Sequence, residues 1–340
     1  MKLLLIKLSS LGDLLHVFPA LTALHQQVPN LEVTWVVESG FAEVPLWHPA
    51  VKHVIVAPFR QLKKERFGLA ALKKIGTLVR ALRQEGYDYV VDAQGLFKSA
   101  ILAKLARGKL VGYGKGSSRE KVAWLYQQKV SASWDWHAIQ RIEALFKVIK
   151  PIAINLKSPD YGLPLWQKNK NKTVLFAHGT TWASKHYPDV LWQELAQKLI
   201  QAGWKIMLPH SNAKELKRAE ALKINGQVEV LSKMSLSALK EKLYGIDAMV
   251  SVDTGLAHIA AAMGLPNVTL YGPTDPKAIG TAGLNQTHLV AEFECAPCWK
   301  KHCFHPERIH EPSPPCFRSV LPERVIEKLV LLGGVEPPKK

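Results

Sequence analysis

Leu3-Leu4-Leu5-Ile6-Lys7-Leu8-Ser9-Ser10-Leu11-Gly12-Asp13-Leu14-Leu15-His16 passes from an unbroken apolar run, through small residues, into a helical pattern. An apolar run of this length bounded by turn residues is the mark of a strand buried on both faces of a parallel sheet. Ser9, Ser10 and Gly12 let the backbone turn sharply, and Leu14–Gln27 then repeats its apolar residues at helical spacing. The run is too short for a signal peptide and is interrupted by Lys2 and Lys7, so it is read as a first strand.

The alternation continues outward. Val33–Val37, Val54–Ala57, Tyr89–Val91 and Leu110–Tyr113 are expected as strands, with helices at Gly68–Gln84 and Ser99–Arg107. Pro151–Lys172 interrupts the pattern with prolines, a glycine and a polar run. It restarts with strands at Val174–Ala177, Lys205–Leu208, Val228–Leu231, Ala248–Val252 and Val268–Tyr271. Helices are expected at Pro188–Ala202, Asn212–Lys223, Ser235–Tyr244, Thr254–Met263 and Pro322–Leu332. Strand–helix alternation argues for an α/β fold of two doubly wound, Rossmann-like domains facing a central cleft. The expected division is 1–160, 161–320, and a C-terminal helix and tail at 321–340.

At 340 residues, 47% of them hydrophobic, the chain can bury two ordinary cores. No stretch nears the roughly 18 apolar residues of a membrane helix, so a cytoplasmic location is expected. Its 45 basic and 28 acidic residues give a net charge of +17, with the excess greater in the first half. Such a field favours anionic partners: nucleic acid, an anionic lipid surface or phosphorylated substrates. The chain lacks a nucleic-acid-binding motif, and its basic cluster lacks interleaved aromatics beyond Phe67, so nucleic acid is disfavoured. The absence of Gly-x-Gly-x-x-Gly disfavours a nicotinamide enzyme.

Four strand-to-helix loops carry the candidate chemistry. Asp13 sits near a helix start, where a carboxylate stays ionised; such a group is either a general base or simply a favourable helix charge. Thr180-Thr181-Trp182-Ala183-Ser184-Lys185 offers hydroxyls and a lysine suited to a diphosphate. In Ser251-Val252-Asp253-Thr254-Gly255-Leu256-Ala257-His258, Asp253 or Thr254 can cap a helix whose exposed amides a phosphate could approach past Gly255. Tyr271–Pro276 closes the next strand with a tight turn. Three of these loops end strands of one domain, which argues for a phosphate-bearing ligand there.

At these residues, and at Asp92-Ala93-Gln94-Gly95-Leu96, the chain resembles the ADP-heptose:lipopolysaccharide heptosyltransferases, glycosyltransferase family 9. The likeness covers about residues 1–290. Trp35–Glu38 with Gly40–Ala42 is most similar to the branch that adds the first heptose to Kdo. The resemblance implies a GT-B fold and an inverting transfer from ADP-heptose to Kdo-lipid A, without metal or other cofactor. It implies Asp13 as general base; Thr180, Thr181, Lys185, Glu215, Met234, Asp253, Thr254, Gly255 and His258 on the donor; and Ser10, Arg60, Lys63, Lys64 and Arg119 on the acceptor. It also implies peripheral, electrostatic contact with the inner membrane. Rival expectations are transfer of a second or third heptose, or a GT-B-fold sugar-nucleotide epimerase.

Two features stand outside the motifs. Arg60–Arg83 carries eight Lys or Arg against Glu65 alone, read either as a solvated helix face or as part of the acceptor surface. Cys295, Cys298, Cys303 and Cys316 have the spacing C-x2-C-x4-C-x12-C, with His302 and His305 nearby. That spacing suits structural zinc, or thiols in an irregular loop without metal. It resembles a cluster in members of the family that add the second heptose.

Overall fold

The computed structural model describes residues 1–62, 69–224, 226–306 and 314–336. The chain divides into two compact units, Met1–Leu163 and Pro164–Lys340.

The first unit is built on six parallel strands: Lys2–Ile6 (β1), Glu32–Glu38 (β2), Val51–Ala57 (β3), Gly86–Asp92 (β4), Arg107–Tyr113 (β5) and Gln128–Val130 (β6). Their order across the sheet is β3-β2-β1-β4-β5-β6. Leu3 to Ile6 of β1 are fully buried because neighbouring strands flank them and helices cover both faces. The core beneath gathers Leu4, Ile6, Val36 and Val90 with Ala100, Leu82 and Tyr126.

The second unit repeats the plan with Thr173–Ala177 (β7), Lys205–Leu208 (β8), Val228–Val230 (β9), Ala248–Val252 (β10), Asn267–Tyr271 (β11) and Gln286–Val290 (β12). Its order, β12-β11-β10-β7-β8-β9, is the same topology. Its core is aromatic: Tyr187 packs edge-on against Trp192 at 5.2 Å and Phe317 at 5.6 Å. The Tyr187 hydroxyl donates to the Val320 carbonyl at 2.6 Å, so the C-terminal segment belongs to this core. Helix Pro322–Leu331 buries Val325 and Leu329 in it.

In each sheet the strand order reverses beside the first strand, at β1/β4 and at β7/β10. Ligands of doubly wound sheets bind outside the carboxyl ends of the strands at such a switch point. The four loops singled out by sequence follow β1, β7, β10 and β11.

The structure corrects several expected elements. The expected helix Leu14–Gln27 is two helices, Leu11–Leu15 and Phe18–Gln27. Pro19 explains the break: it has no N–H to donate and its ring would clash with the carbonyl four residues back. Arg107, expected to end a helix, starts β5, and the helix is Phe97–Leu105. Helix Ala138–Lys147 and the outer strands β6 and β12 were not expected. The helix was legible, since Ile139, Ile142, Leu145 and Phe146 share one face and are buried. The edge strands were not, because β6 has three residues and β12 begins Gln-Thr-His.

Candidate active site

In the first unit, the turn after β1 makes Ser10 the N-cap of helix Leu11–Leu15 and Asp13 its third residue. Asp13 Oδ2 accepts hydrogen bonds from the Ser10 amide at 2.9 Å and the Ser10 hydroxyl at 2.8 Å. These two bonds from Ser10 account for one carboxylate oxygen. The other, Oδ1, faces Lys7 Nζ at 3.9 Å, and the Asp13 side chain keeps 40% of its surface exposed. Burial works to raise the Asp13 pKa, but Lys7, the Ser10 bonds and His16 outweigh it and hold the group at about 2. The result is a carboxylate that is ionised and exposed, with one oxygen uncommitted to the cap.

Lys7 supplies the fixed charge behind it. It is 8% exposed, donates to the Ala93 carbonyl at 3.0 Å, and is pushed below the usual lysine range by burial, against the pull of Asp13 and Asp92. Arg119 adds to the lowering, so its charge reaches this same edge of the sheet. Sequence reasoning treated Lys7 only as an interruption of an apolar run. The signal was there, because a lysine at the end of a buried strand needs a partner.

The β4 loop braces the turn. Gln94 Oε1 accepts from the Leu8 amide at 3.0 Å and the Ser9 amide at 3.3 Å. Asp92, fully buried, accepts from the Gln94 and Gly95 amides, from Ser99 Oγ at 2.9 Å and from the Tyr126 hydroxyl at 2.7 Å. Gly95 has φ +68°, and a Cβ there would lie 3.1 Å from Tyr113. A side chain at this position is therefore both strained and crowded.

Arg119 is exposed on the loop after β5. Arg141 pins that loop through the Ser117 carbonyl at 2.6 Å and the Ala132 and Ser133 carbonyls at 2.9 and 2.7 Å. Of the other expected acceptor residues, Arg60 falls on the helical turn Phe59–Leu62 just after β3. Lys63 and Lys64 lie outside the described residues, and the Arg60 side chain is likewise not described.

In the second unit the β7, β10 and β11 loops meet around Asp253. Its Oδ2 lies 2.6 Å from Lys185 Nζ and accepts from the Thr274 hydroxyl at 2.6 Å. Thr180 Oγ1 donates to the Asp253 carbonyl at 3.4 Å, and Lys185 Nζ sits 4.5 Å above the Trp182 ring. The three loops are thus knit by one buried carboxylate. The cap is Thr254, whose extended backbone starts helix Gly255–Met263, with His258 buried one turn in. Asp253 holds the lysine instead of capping. Thr181 is exposed, and Thr254 and Gly255 are half-buried, so hydroxyls and helix-start amides are open to a ligand.

Glu215, in the first turn of helix Ala213–Ala221, accepts from the Ser211 amide at 2.7 Å and hydroxyl at 2.8 Å. It lies against the β7 loop: a Cβ on Gly179 would stand 2.8 Å from its carboxyl carbon. Met234 is half-buried just before helix Leu236–Leu243. The structure therefore places Glu215 against Gly179, the residue before Thr180, while Met234 follows the outer strand β9.

All four cysteines are free thiols lining one cavity of about 20 Å³, with Gly272, Phe293 and Ser184 among its walls. Among the described residues, no three His, Cys, Asp or Glu side chains are set to hold a metal ion. Burial, then the neighbouring thiols, push Cys316 up to about 12. The loop has a visible mechanical role. Ser184 donates to the carbonyls of Lys300 and Lys301 at 2.5 and 3.1 Å, and the Trp299 amide donates to Pro273 at 2.7 Å. It thereby ties together the segments carrying Lys185 and Thr274.

With this geometry in hand, comparison with known proteins is specific. The sequence profile of glycosyltransferase family 9 (heptosyltransferase) matches residues 75–308. Lipopolysaccharide heptosyltransferase 1 of Pseudomonas aeruginosa is 38% identical, over 97% of this chain and 97% of that protein. The chain belongs to glycosyltransferase family 9. Lipopolysaccharide heptosyltransferase 1 of Escherichia coli K12 is 40% identical over 84% of this chain and 92% of its own length. The solved structure of E. coli heptosyltransferase WaaC with ADP superposes with a TM-score of 0.84 at 34% identity, covering 98% of this chain and 100% of that one. The GT-B fold expected from the sequence is therefore the fold of this family member, which is a glycosyltransferase.

Proposed function

We propose that this chain transfers L-glycero-D-manno-heptose from ADP-heptose to the Kdo of Kdo-lipid A, with inversion and by single displacement. Asp13 Oδ1 takes the proton of a Kdo hydroxyl as that oxygen attacks the anomeric carbon of heptose. The bond from that carbon to the β-phosphate oxygen breaks, and ADP leaves. The observation that carries this reading is the ionised, half-exposed Asp13 carboxylate at the switch point of the first sheet.

Charge gathering on the β-phosphate is met by Lys185, by the Thr180 and Thr181 hydroxyls, and by the amides opening helix Gly255–Met263. Donors fixed before the reaction stabilise such charge without reorganising. Glu215 and Met234 contact the nucleoside, and Asp253, Thr254 and His258 shape the pocket for pyrophosphate and heptose. On the acceptor side, Ser10, Arg60, Lys63, Lys64 and Arg119 meet Kdo carboxylates and lipid A phosphates. The work is done in the cytoplasm, at the face of the inner membrane where the acceptor is anchored. E. coli heptosyltransferase WaaC has been solved with ADP and with ADP-2-deoxy-2-fluoro heptose, which supports the donor assignment.

Asp13→Asn tests the base role. The amide can still accept the Ser10 hydrogen bonds but cannot take a proton, so turnover is expected to fall by roughly 10²–10⁴-fold. ADP affinity and melting temperature are expected to stay near those of the parent. If the charge served only the helix terminus, stability would drop by a fraction of a kcal/mol and turnover would persist. A variant turning over within about threefold of the parent removes Asp13 from the chemistry.

A further inference from the structure

Residues 97–130 of the first unit carry Lys98, Lys104, Arg107, Lys109, Lys115, Arg119, Lys121 and Lys129 against the single acid Glu120. Among these charges the structure exposes large apolar side chains that a soluble surface would ordinarily hide. On helix Phe97–Leu105, Phe97 is 53% exposed and Ile101 39% exposed. Four residues apart, they stand on one face, and Lys104 continues it. The helical turn Ala123–Leu125 packs beside this helix and presents Trp124, 71% exposed. Glu120, the lone acid, is occupied in accepting from the Phe97 amide.

We propose that Phe97, Ile101 and Trp124, ringed by Lys104, Lys121 and neighbouring cations, form a docking surface for an anionic bilayer. The inference rests on the proposed function, whose acceptor is a lipid. Aromatic and aliphatic side chains gain by entering the headgroup boundary, and lysines around them gain from anionic lipid. Neither suffices alone: three side chains bury little area, and a charge field alone holds the protein only loosely above the surface. Together they give the two signals that reversible anchoring needs.

The position fits the chemistry. The loop after β4 leads into this segment and the loop after β5 lies within it, while the loops of β1 and β4 hold Asp13 and Lys7. A bilayer met here lies beside the edge where the acceptor hydroxyl must arrive. Tethering the enzyme there also turns a search in three dimensions into one across a surface, raising the local acceptor concentration.

The test uses the full chain with vesicles of phosphatidylcholine alone, or of phosphatidylcholine with a third phosphatidylglycerol. The parent is expected to sediment with the anionic vesicles and not with the neutral ones. The triple variant Phe97→Ser, Ile101→Ser, Trp124→Ser is expected to lose that partition by tenfold or more. Lys104→Ala with Lys121→Ala is expected to weaken it by roughly fivefold per lysine. Brominated lipid is expected to quench Trp124 in the parent, and the Trp124→Ser variant to lose that quenching. Thermal melting confirms that each variant is folded. Equal binding to neutral and anionic vesicles, no binding by the parent, or undiminished binding by the folded triple variant overturns the proposal. Heptose transfer is read separately, with a short soluble Kdo acceptor, on which the triple variant is expected to match the parent. A parent that docks on anionic vesicles yet transfers no heptose upholds the surface and removes the functional reading.

Discussion

At the scale of single residues, the site turns on how two charges are held. Asp13 at about pKa 2 is fully ionised across the physiological range but is a weak base at rest. If Asp13 is the base proposed above, proton transfer must come late, as bond formation to the anomeric carbon acidifies the attacking hydroxyl. Its pH signature follows from the sign of the shift. A carboxylate depressed in the fold contributes stability above its unfolded value near 3.8, and that stability is lost as pH falls towards 2. The kcat/KM profile is accordingly expected to show no Asp13 limb above about pH 4. A limb between pH 5 and 7 that disappears in Asp13→Asn would contradict this placement of Lys7 and Ser10.

Lys185 is held as tightly, by a carboxylate that is itself buried: the two side chains are 12% and 6% exposed. Lys185→Ala strands Asp253, and breaking such a pair costs roughly 3–5 kcal/mol, whereas removing both charges costs far less. The double variant Lys185→Met, Asp253→Asn is therefore expected to melt near the parent while keeping a low kcat. Recovery of kcat along with stability would show that the lysine is only a strut. Sequence legibility at this scale was uneven. Asp13, Lys185 and Thr254 announced themselves by position in strand-to-helix loops. Lys7 and the bracing role of Gln94 were not legible, because their partners lie 85 or 86 positions away in sequence and such pairings exist only once the strands are laid side by side.

At the scale of elements, the cysteine loop shows how a motif can be legible while its use is not. The spacing of Cys295, Cys298, Cys303 and Cys316 suited zinc, and the structure brings all four to one small cavity. What the loop visibly does is bind Ser184 and Pro273, and so fix the segments around Lys185 and Thr274. Cys316, buried and raised to about 12, is a neutral thiol at neutral pH, whereas Cys295 is exposed. Thiolates are the reactive form, so iodoacetamide at pH 8 is expected to label Cys316 last, with the difference vanishing in denaturant. Labelling of Cys316 at the rate of Cys295 in the folded chain would contradict the burial. Helix breaks were readable in principle as well, since Pro19 stops one helix and begins the next. Apolar spacing alone runs through a proline, which is why Leu14–Gln27 read as continuous.

At the scale of the whole molecule, the two sheets were legible because their strands are buried on both faces and so read as short apolar runs. Their shared order was not, since strand order is set by how crossovers pack and leaves no local trace. Yet that order explains why the legible loops matter, because the motifs after β1, β4, β7 and β10 follow the strands flanking each switch point, and the β11 motif follows the next strand out. The charge of +17 was legible too, but its meaning depends on placement. The solved relatives support the donor more firmly than the acceptor, which the proposed function assigns to the first unit. The most direct test is to incubate the purified chain with ADP-heptose and, separately, Kdo-lipid A, its singly heptosylated form and no acceptor, reading products by mass spectrometry. One heptose is expected to be added to Kdo-lipid A, with little addition to the heptosylated form and intact ADP-heptose without acceptor. Preferred transfer to the heptosylated form, or conversion of the donor with no acceptor present, would contradict the proposed transfer to Kdo.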